Sequence, residues 1–182
     1  ASSAIALHDY GNEYYFFTKQ LVFAGLGLCL MLVCRYIPYR LYRHLTYVMI
    51  AAAFTLLGIV LIKGMGHEVK GAVRWLEFGG LRFQPVEFAR FALIVFMGYS
   101  LTKKQDGIER FSIGFVPHVI ILLVFSILIL LQPDYGSVAI FWMLAWIIMF
   151  AGRVRVSQLS LSALLFVMPA AVVLIFSSDY RL

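Results

Sequence analysis

Six apolar stretches, each close to the length that crosses a bilayer, leave this chain little choice of environment. They run Phe16–Cys34, Leu45–Ile62, Val86–Leu101, Ile113–Leu131, Gly136–Ala151 and Leu159–Phe176. A transmembrane helix needs roughly 17–25 mostly apolar residues. In hydrocarbon the backbone satisfies its N–H and C=O groups only as a helix or a closed barrel, and the alternating pattern of a barrel strand is missing here. Composition agrees. The chain is 63% hydrophobic and 13% charged, against about 45–50% and 25% in soluble domains, and its mean hydropathy is +0.92. The expected fold is all-α: a polytopic transmembrane helix bundle, one membrane domain over residues 1–182, with about six spanning helices.

The connections alternate in charge. Residues 34–44 carry Arg35, Arg40 and Arg43, residues 101–110 carry Lys103, Lys104 and Arg110, and residues 152–156 carry Arg153 and Arg155. Cytoplasmic loops are enriched in Lys and Arg, so these three mark the cytoplasmic side. The opposite side holds the first residues, Lys63–Gln84, Gln132–Tyr135 and Ser177–Leu182. One of those segments breaks the rule, because it contains Lys63, Lys70, Arg74 and Arg82. Cations on the face where topology discourages them are expected to have another task.

Other features carry less. Cys29 and Cys34 are five apart, do not share a helix face, and read as lipid- or core-facing thiols. His8, His44, His67 and His118 show no metal-ligand spacing. The net charge of +6 is partly loop charge, and nothing resembles a nucleic-acid module. Pro117 and Pro169 fall within apolar runs as candidate kinks. The chain opens on Ala1 with no basic stretch ahead of a short apolar core, so no signal peptide is expected. SSDYRL follows an apolar run without a closing element, and the whole reads as an internal piece of a longer protein.

Three polar patches remain. Within GAVRWLEF, a helical reading puts Lys70 and Arg74 on one face, one turn apart, with Trp75 at headgroup level. Like charges at that spacing destabilise an isolated helix by about 0.2–0.5 kcal/mol, which makes sense if an anion lies between them. The expectation is a short interfacial helix presenting cations outward. A snorkelling amphipathic loop on anionic lipid fits the spacing equally. In GGLRFQPVEFARF, Gly79-Gly80 marks a turn and Pro85 suits the first helical position. Glu87 falls in the first turn, with Arg90 three residues on. The two form a helix-start ion pair or border a polar cavity inside the bundle. In LQPDYGS, Pro133 ends one helix and Asp134 can cap the next. Asp134 also lies at the level of the basic loop, where it could orient Lys63, Lys70 or Arg74, or bind a substrate hydroxyl or a divalent cation.

These segments resemble the FtsW/RodA family (SEDS: shape, elongation, division and sporulation proteins). The family forms KGA-x-RWL, QPSEFAK and QPD-x-GT or QPD-x-GS are matched in order. They stand here as Lys70-Gly71-Ala72 with Arg74-Trp75-Leu76, Gln84-Pro85-Val86-Glu87-Phe88-Ala89-Arg90, and Gln132-Pro133-Asp134-Tyr135-Gly136-Ser137. ASSAIAL and EYYFFTKQLVFAGLGL look more like the FtsW branch than the RodA branch. Val86 replaces a frequent Ser, and Arg90 a usual Lys, which keeps charge but changes geometry.

The resemblance implies a ten-helix fold of which this chain covers the end of the first helix to just past the seventh. It implies a peptidoglycan glycosyltransferase that polymerises lipid II in the bacterial cytoplasmic membrane, at the division septum for the FtsW branch. A class B penicillin-binding protein is the implied partner, alongside membrane lipids and no nucleic acid. In the implied reaction one sugar's 4-hydroxyl attacks the anomeric carbon of another and polyprenyl pyrophosphate leaves. That needs a base, and cations for the developing charge. Lys70, Arg74, Trp75 and Arg82 are the implied substrate-binding residues. Gln84, Glu87, Arg90 and Asp134 line the cavity behind them. The family's proposed catalytic Asp lies in an LPE-x-x-TDFIF-like outer segment that this chain does not match, so no catalytic residue is assigned, neither Asp134 nor Asp179, and the piece alone is expected to be inactive. No cofactor is evident, and a divalent cation stays open. Two other classes fit a polar intramembrane cavity: a lipid II flippase or secondary transporter, and a non-catalytic division scaffold.

Overall fold

The apolar runs fold as helices, and their ends fall where loop chemistry begins. The computed structural model describes residues 14–62, 67–69, 72–78 and 81–164. Two compact units divide it, residues 1–42 and 43–182. The first contains α1, Tyr15–Tyr36, a helix that is apolar on all sides, as a lipid-facing span is. The next helix, α2, is Tyr39–Leu61 and continues into the second unit. There follow three short strands, β1 His67–Val69, β2 Ala72–Phe78 and β3 Leu81–Phe83. Then come α3 Pro85–Lys103, a π-helical turn at Phe111–Phe115 leading into α4 Val116–Leu130, and α5 Tyr135–Ala151. A further helix begins at 156 and is described to 164. The expected span Leu159–Phe176 therefore lies mostly outside the described residues, as does Pro169. Pro117 stands at the start of α4, directly after the π-helical turn.

Four of these helices are long and apolar enough to cross a membrane. α5 has 17 residues, which at 1.5 Å each extends about 25 Å. The structure is the polytopic helix bundle expected, with one small sheet added at one end.

The core of the second unit is built from side chains at helical spacing. Ala53 and Leu57 of α2, Ala89, Leu93 and Met97 of α3, Leu122, Phe125 and Ile129 of α4, and Phe141, Ala145 and Met149 of α5 are all fully buried. Phe125 joins three helices: it stacks on Phe54 at 4.3 Å and meets Phe141 at 5.6 Å. Small residues at Ala53, Ala89, Ala92 and Ala145 let helices approach closely, where dispersion and hydrogen bonds must do what the hydrophobic effect does in water.

Two serine–tryptophan contacts supply those hydrogen bonds. Trp142 Nε1 donates to Ser126 Oγ at 3.0 Å, and Ser126 donates to the Leu122 carbonyl. Trp146 Nε1 donates to Ser162 Oγ at 2.7 Å, and Ser162 donates to the Leu159 carbonyl. Each hydroxyl thus meets a donor on a neighbouring helix and an acceptor on its own.

Candidate functional site

The basic stretch between α2 and α3 is a β-meander, not the interfacial helix expected from its charges. β2 pairs antiparallel with β1 through Val69↔Ala72 and with β3 through Leu76↔Phe83, Glu77↔Arg82 and Phe78↔Leu81. Local chemistry explains the correction. Val, Trp and Phe favour strands, glycines stand at 71, 79 and 80 between the strands, and a helix would stack like charges at one-turn spacing. Alternation along a strand sends Arg74 and Leu76 to one face of β2 and Trp75 to the other. Leu76 is buried and β2 lies against α3, so Arg74 is on the face turned to the bundle. Trp75 and Arg74 are half-buried, and Arg82 is exposed. Lys70 and Lys63 lie outside the described residues.

Arg74 is held by the turn after α4. Its Nε donates to the Gln132 carbonyl at 3.0 Å and its Nη2 donates to the Pro133 carbonyl. These carbonyls follow the C-terminus of α4, where unsatisfied acceptors and the negative end of the helix dipole favour a cation. Gln132 is itself buried and its Nε2 donates to the Leu57 carbonyl of α2 at 3.2 Å. Arg74 and Gln132 together therefore tie β2, the 131–134 turn and α2. Guanidinium carries five N–H donors in a fixed fork, so Arg74 keeps donors beyond the two used here. Gln132 belongs to a motif the sequence singles out, yet its side chain was not among the expected cavity residues; a buried amide is not distinguishable from an exposed one by spacing.

Asp134 sits directly after that turn and caps α5. Its Oδ1 accepts from the Ser137 backbone N–H at 3.2 Å and its Oδ2 accepts from Ser137 Oγ at 2.7 Å. Both carboxylate oxygens are thus engaged within the turn.

α3 opens as its sequence predicts. Gln84 is its N-cap, half-buried and without a side-chain cap bond, and Pro85 occupies the first position. Arg90 Nη1 meets Glu87 Oε2 at 2.8 Å. The Glu87 side chain is 54% exposed and that of Arg90 22%. Arg90 Nε is buried without a partner among the described residues. The pair therefore runs from an exposed acid to a base entering the bundle.

Among the described residues no group of three or more His, Cys, Asp or Glu side chains converges. An apolar cleft of about 450 Å³ lies between α5 and the 156–164 helix, lined by Trp146, Phe150, Val156 and Leu159 among others. It shares no residue with the hairpin, the 131–134 turn or the Glu87–Arg90 pair.

Comparison with known proteins is consistent across the chain's length. The family model for FtsW, RodA and SpoVE, described as "Cell cycle protein", matches residues 1–182. The chain is similar to the "Probable peptidoglycan glycosyltransferase FtsW" of Trichlorobacter lovleyi, with 38% identity over all of this chain and 48% of that protein. A protein of the same name from Geobacter sulfurreducens is 36% identical over 100% of this chain and 48% of its own length. The chain spans about half the length of the curated relatives it matches. Among solved structures, Thermus thermophilus rod shape determining protein RodA superposes with a TM-score of 0.67 at 26% identity, covering 90% of this chain and 55% of that one. A chain from a structure described as "Structural coordination of polymerization and crosslinking by a peptidoglycan synthase complex" superposes with a TM-score of 0.70 at 26% identity, covering 98% of this chain and 52% of that one.

Proposed function

The chain belongs to the FtsW/RodA/SpoVE family, and from that premise we propose that the protein is a peptidoglycan glycosyltransferase that polymerises lipid II during bacterial cell division. The relatives' name supports the reaction class. The observation that carries the site is Arg74, whose fork is fixed on the Gln132 and Pro133 carbonyls beside Asp134. A guanidinium held there before substrate arrives is preorganised, and preorganised charge is what stabilises a leaving group in the transition state.

Lys70 and Arg74 receive the pyrophosphate, and Trp75, on the opposite face of β2, meets the headgroup layer. Arg82, next to Phe83 whose cross-strand partner is Leu76, lies on Trp75's side of the sheet. As the attacking 4-hydroxyl forms the glycosidic bond and gives up its proton to a general base, a role assigned to no residue of this chain, the anomeric carbon–pyrophosphate bond breaks and its electron pair goes to the phosphate oxygen. Cations at that oxygen lower the barrier. Glu87, Arg90 and Asp134 set the charge of the cavity, with the neutral Gln84 amide at its edge: Glu87 orients Arg90, and Asp134 shapes the turn that holds Arg74. The structure of a polymerising and crosslinking synthase complex that this chain resembles supports a class B penicillin-binding protein as partner. The site of action is the cytoplasmic membrane at the septum.

Purified full-length protein carrying Arg74→Ala or Lys70→Ala, supplied with lipid II, tests this. Glycan polymer should fall by about 10²-fold, the scale of losing one preorganised charge-stabilising donor. Wild-type polymerisation by both variants removes the pyrophosphate role. Movement of lipid II across vesicles with no polymer from the wild-type protein makes it a transporter, and intact division with both variants makes it a scaffold.

A further inference from the structure

At the opposite end from the hairpin, two helices carry the same cation–tyrosine pattern in reverse. On α2 the order is Arg43, then Tyr47 one turn deeper; on α3 it is Tyr99, then Lys103 one turn outward. The helices meet at this point: Tyr47 and Tyr99 pack edge to face with centroids 5.9 Å apart. Both cations converge on one ring. Arg43 Cζ stands 5.9 Å and Lys103 Nζ 5.7 Å from the Tyr99 centroid. Arg43, Lys103 and Tyr47 are exposed and Tyr99 is half-buried.

A single tyrosine face attracts a cation modestly, by about 0.5–1 kcal/mol at exposed sites, and cannot neutralise two unit charges that repel each other. Neither cation has a carboxylate ion pair among the described residues; those present join Arg90 to Glu87 and Arg155 to Glu109. The first turn of α2 carries no acidic residue either. Each tyrosine stands one turn inside a cation, the order in which cations and aromatic side chains commonly mark a membrane interface, and Val48, next to Tyr47 in sequence, is exposed. A matching ligand is anionic at the cation level and apolar below it.

We infer that Arg43, Lys103 and the Tyr47–Tyr99 pair form a binding site for the phosphate headgroup of an anionic phospholipid in the leaflet that the loop charges mark as cytoplasmic. The phosphate lies between the two cations and the acyl chains run down the α2–α3 seam. This site is separate from the hairpin and stands independently of the reaction proposed above.

The test uses full-length protein in phosphatidylcholine vesicles containing a minority of phosphatidylglycerol, with spin-labelled forms of each lipid. The protein-immobilised fraction reports the preference for phosphatidylglycerol. Arg43→Gln and Lys103→Gln should each lower that preference about fivefold and the double variant about 30-fold, the scale of one surface cation each. Tyr99→Leu, which removes no charge, should lower it too because the cations lose their common support. Arg153→Gln, a cation elsewhere on the same side, should leave it unchanged, and inorganic phosphate should not compete. An unchanged preference in the double variant overturns the site. An equal loss in Arg153→Gln reduces it to diffuse surface charge, and competition by inorganic phosphate makes it a free-anion site instead.

Discussion

Arg74 Nε donates to the Gln132 carbonyl across 3.0 Å, joining residues 58 positions apart in the chain. One side chain thereby fixes β2 to the turn between two membrane helices. Arg74→Ala should cost about 1.5–3 kcal/mol of stability, the usual worth of hydrogen bonds to a charged group. Arg74→Lys should recover only part, since an ammonium does not reproduce the two-pronged fork. Thermal unfolding in detergent, followed by circular dichroism, measures both.

Asp134 caps α5 through Ser137. Asp134→Ala should destabilise by about 0.5–2 kcal/mol, while Asp134→Asn, which still offers a side-chain oxygen, should stay close to wild type in stability. If Asp134 acts only by shaping the turn, glycan polymerisation should follow the same order, Asn above Ala. Parallel melting and lipid II assays on the two variants settle the order.

Gly114 has no room for a side chain. A Cβ there would stand 1.8 Å from the Ile108 carbonyl oxygen, a backbone atom that cannot swing aside. Gly114→Ala should therefore disturb the π-helical entry to α4 and cost at least the roughly 1–3 kcal/mol typical of overpacking. Gly98→Ala is the contrast, because nothing lies within 4 Å of its added Cβ. The difference between their melting temperatures is the readout.

Trp142 and Ser126 join α5 to α4 by one interhelical hydrogen bond. A double-mutant cycle with Trp142→Phe and Ser126→Ala should return a coupling of about 0.6 kcal/mol, with roughly 1.7 as an upper bound for such bonds in membranes. A coupling near zero would mean the indole N–H finds another partner as readily.

The sequence alone determined the membrane environment, the apolar helices over the described residues, and the chemistry of the helix starts. Pro85 opens α3, Glu87 pairs with Arg90, and Asp134 caps α5, because each depends on residues three or fewer apart. The tertiary structure decided the rest. GAVRWLEF reads as an amphipathic turn of helix until strands on both sides claim its backbone, and strand pairing is invisible in the segment's own spacing. Arg74 was legible as a cation with a task, but its hold on Gln132 and Pro133 depends on where α4 ends relative to β2. The convergence of Arg43 and Lys103 on Tyr99 likewise joins residues that no local pattern connects. Short-range hydrogen bonding and hydropathy are properties of a segment; the placement of charge against a distant carbonyl or ring is a property of packing.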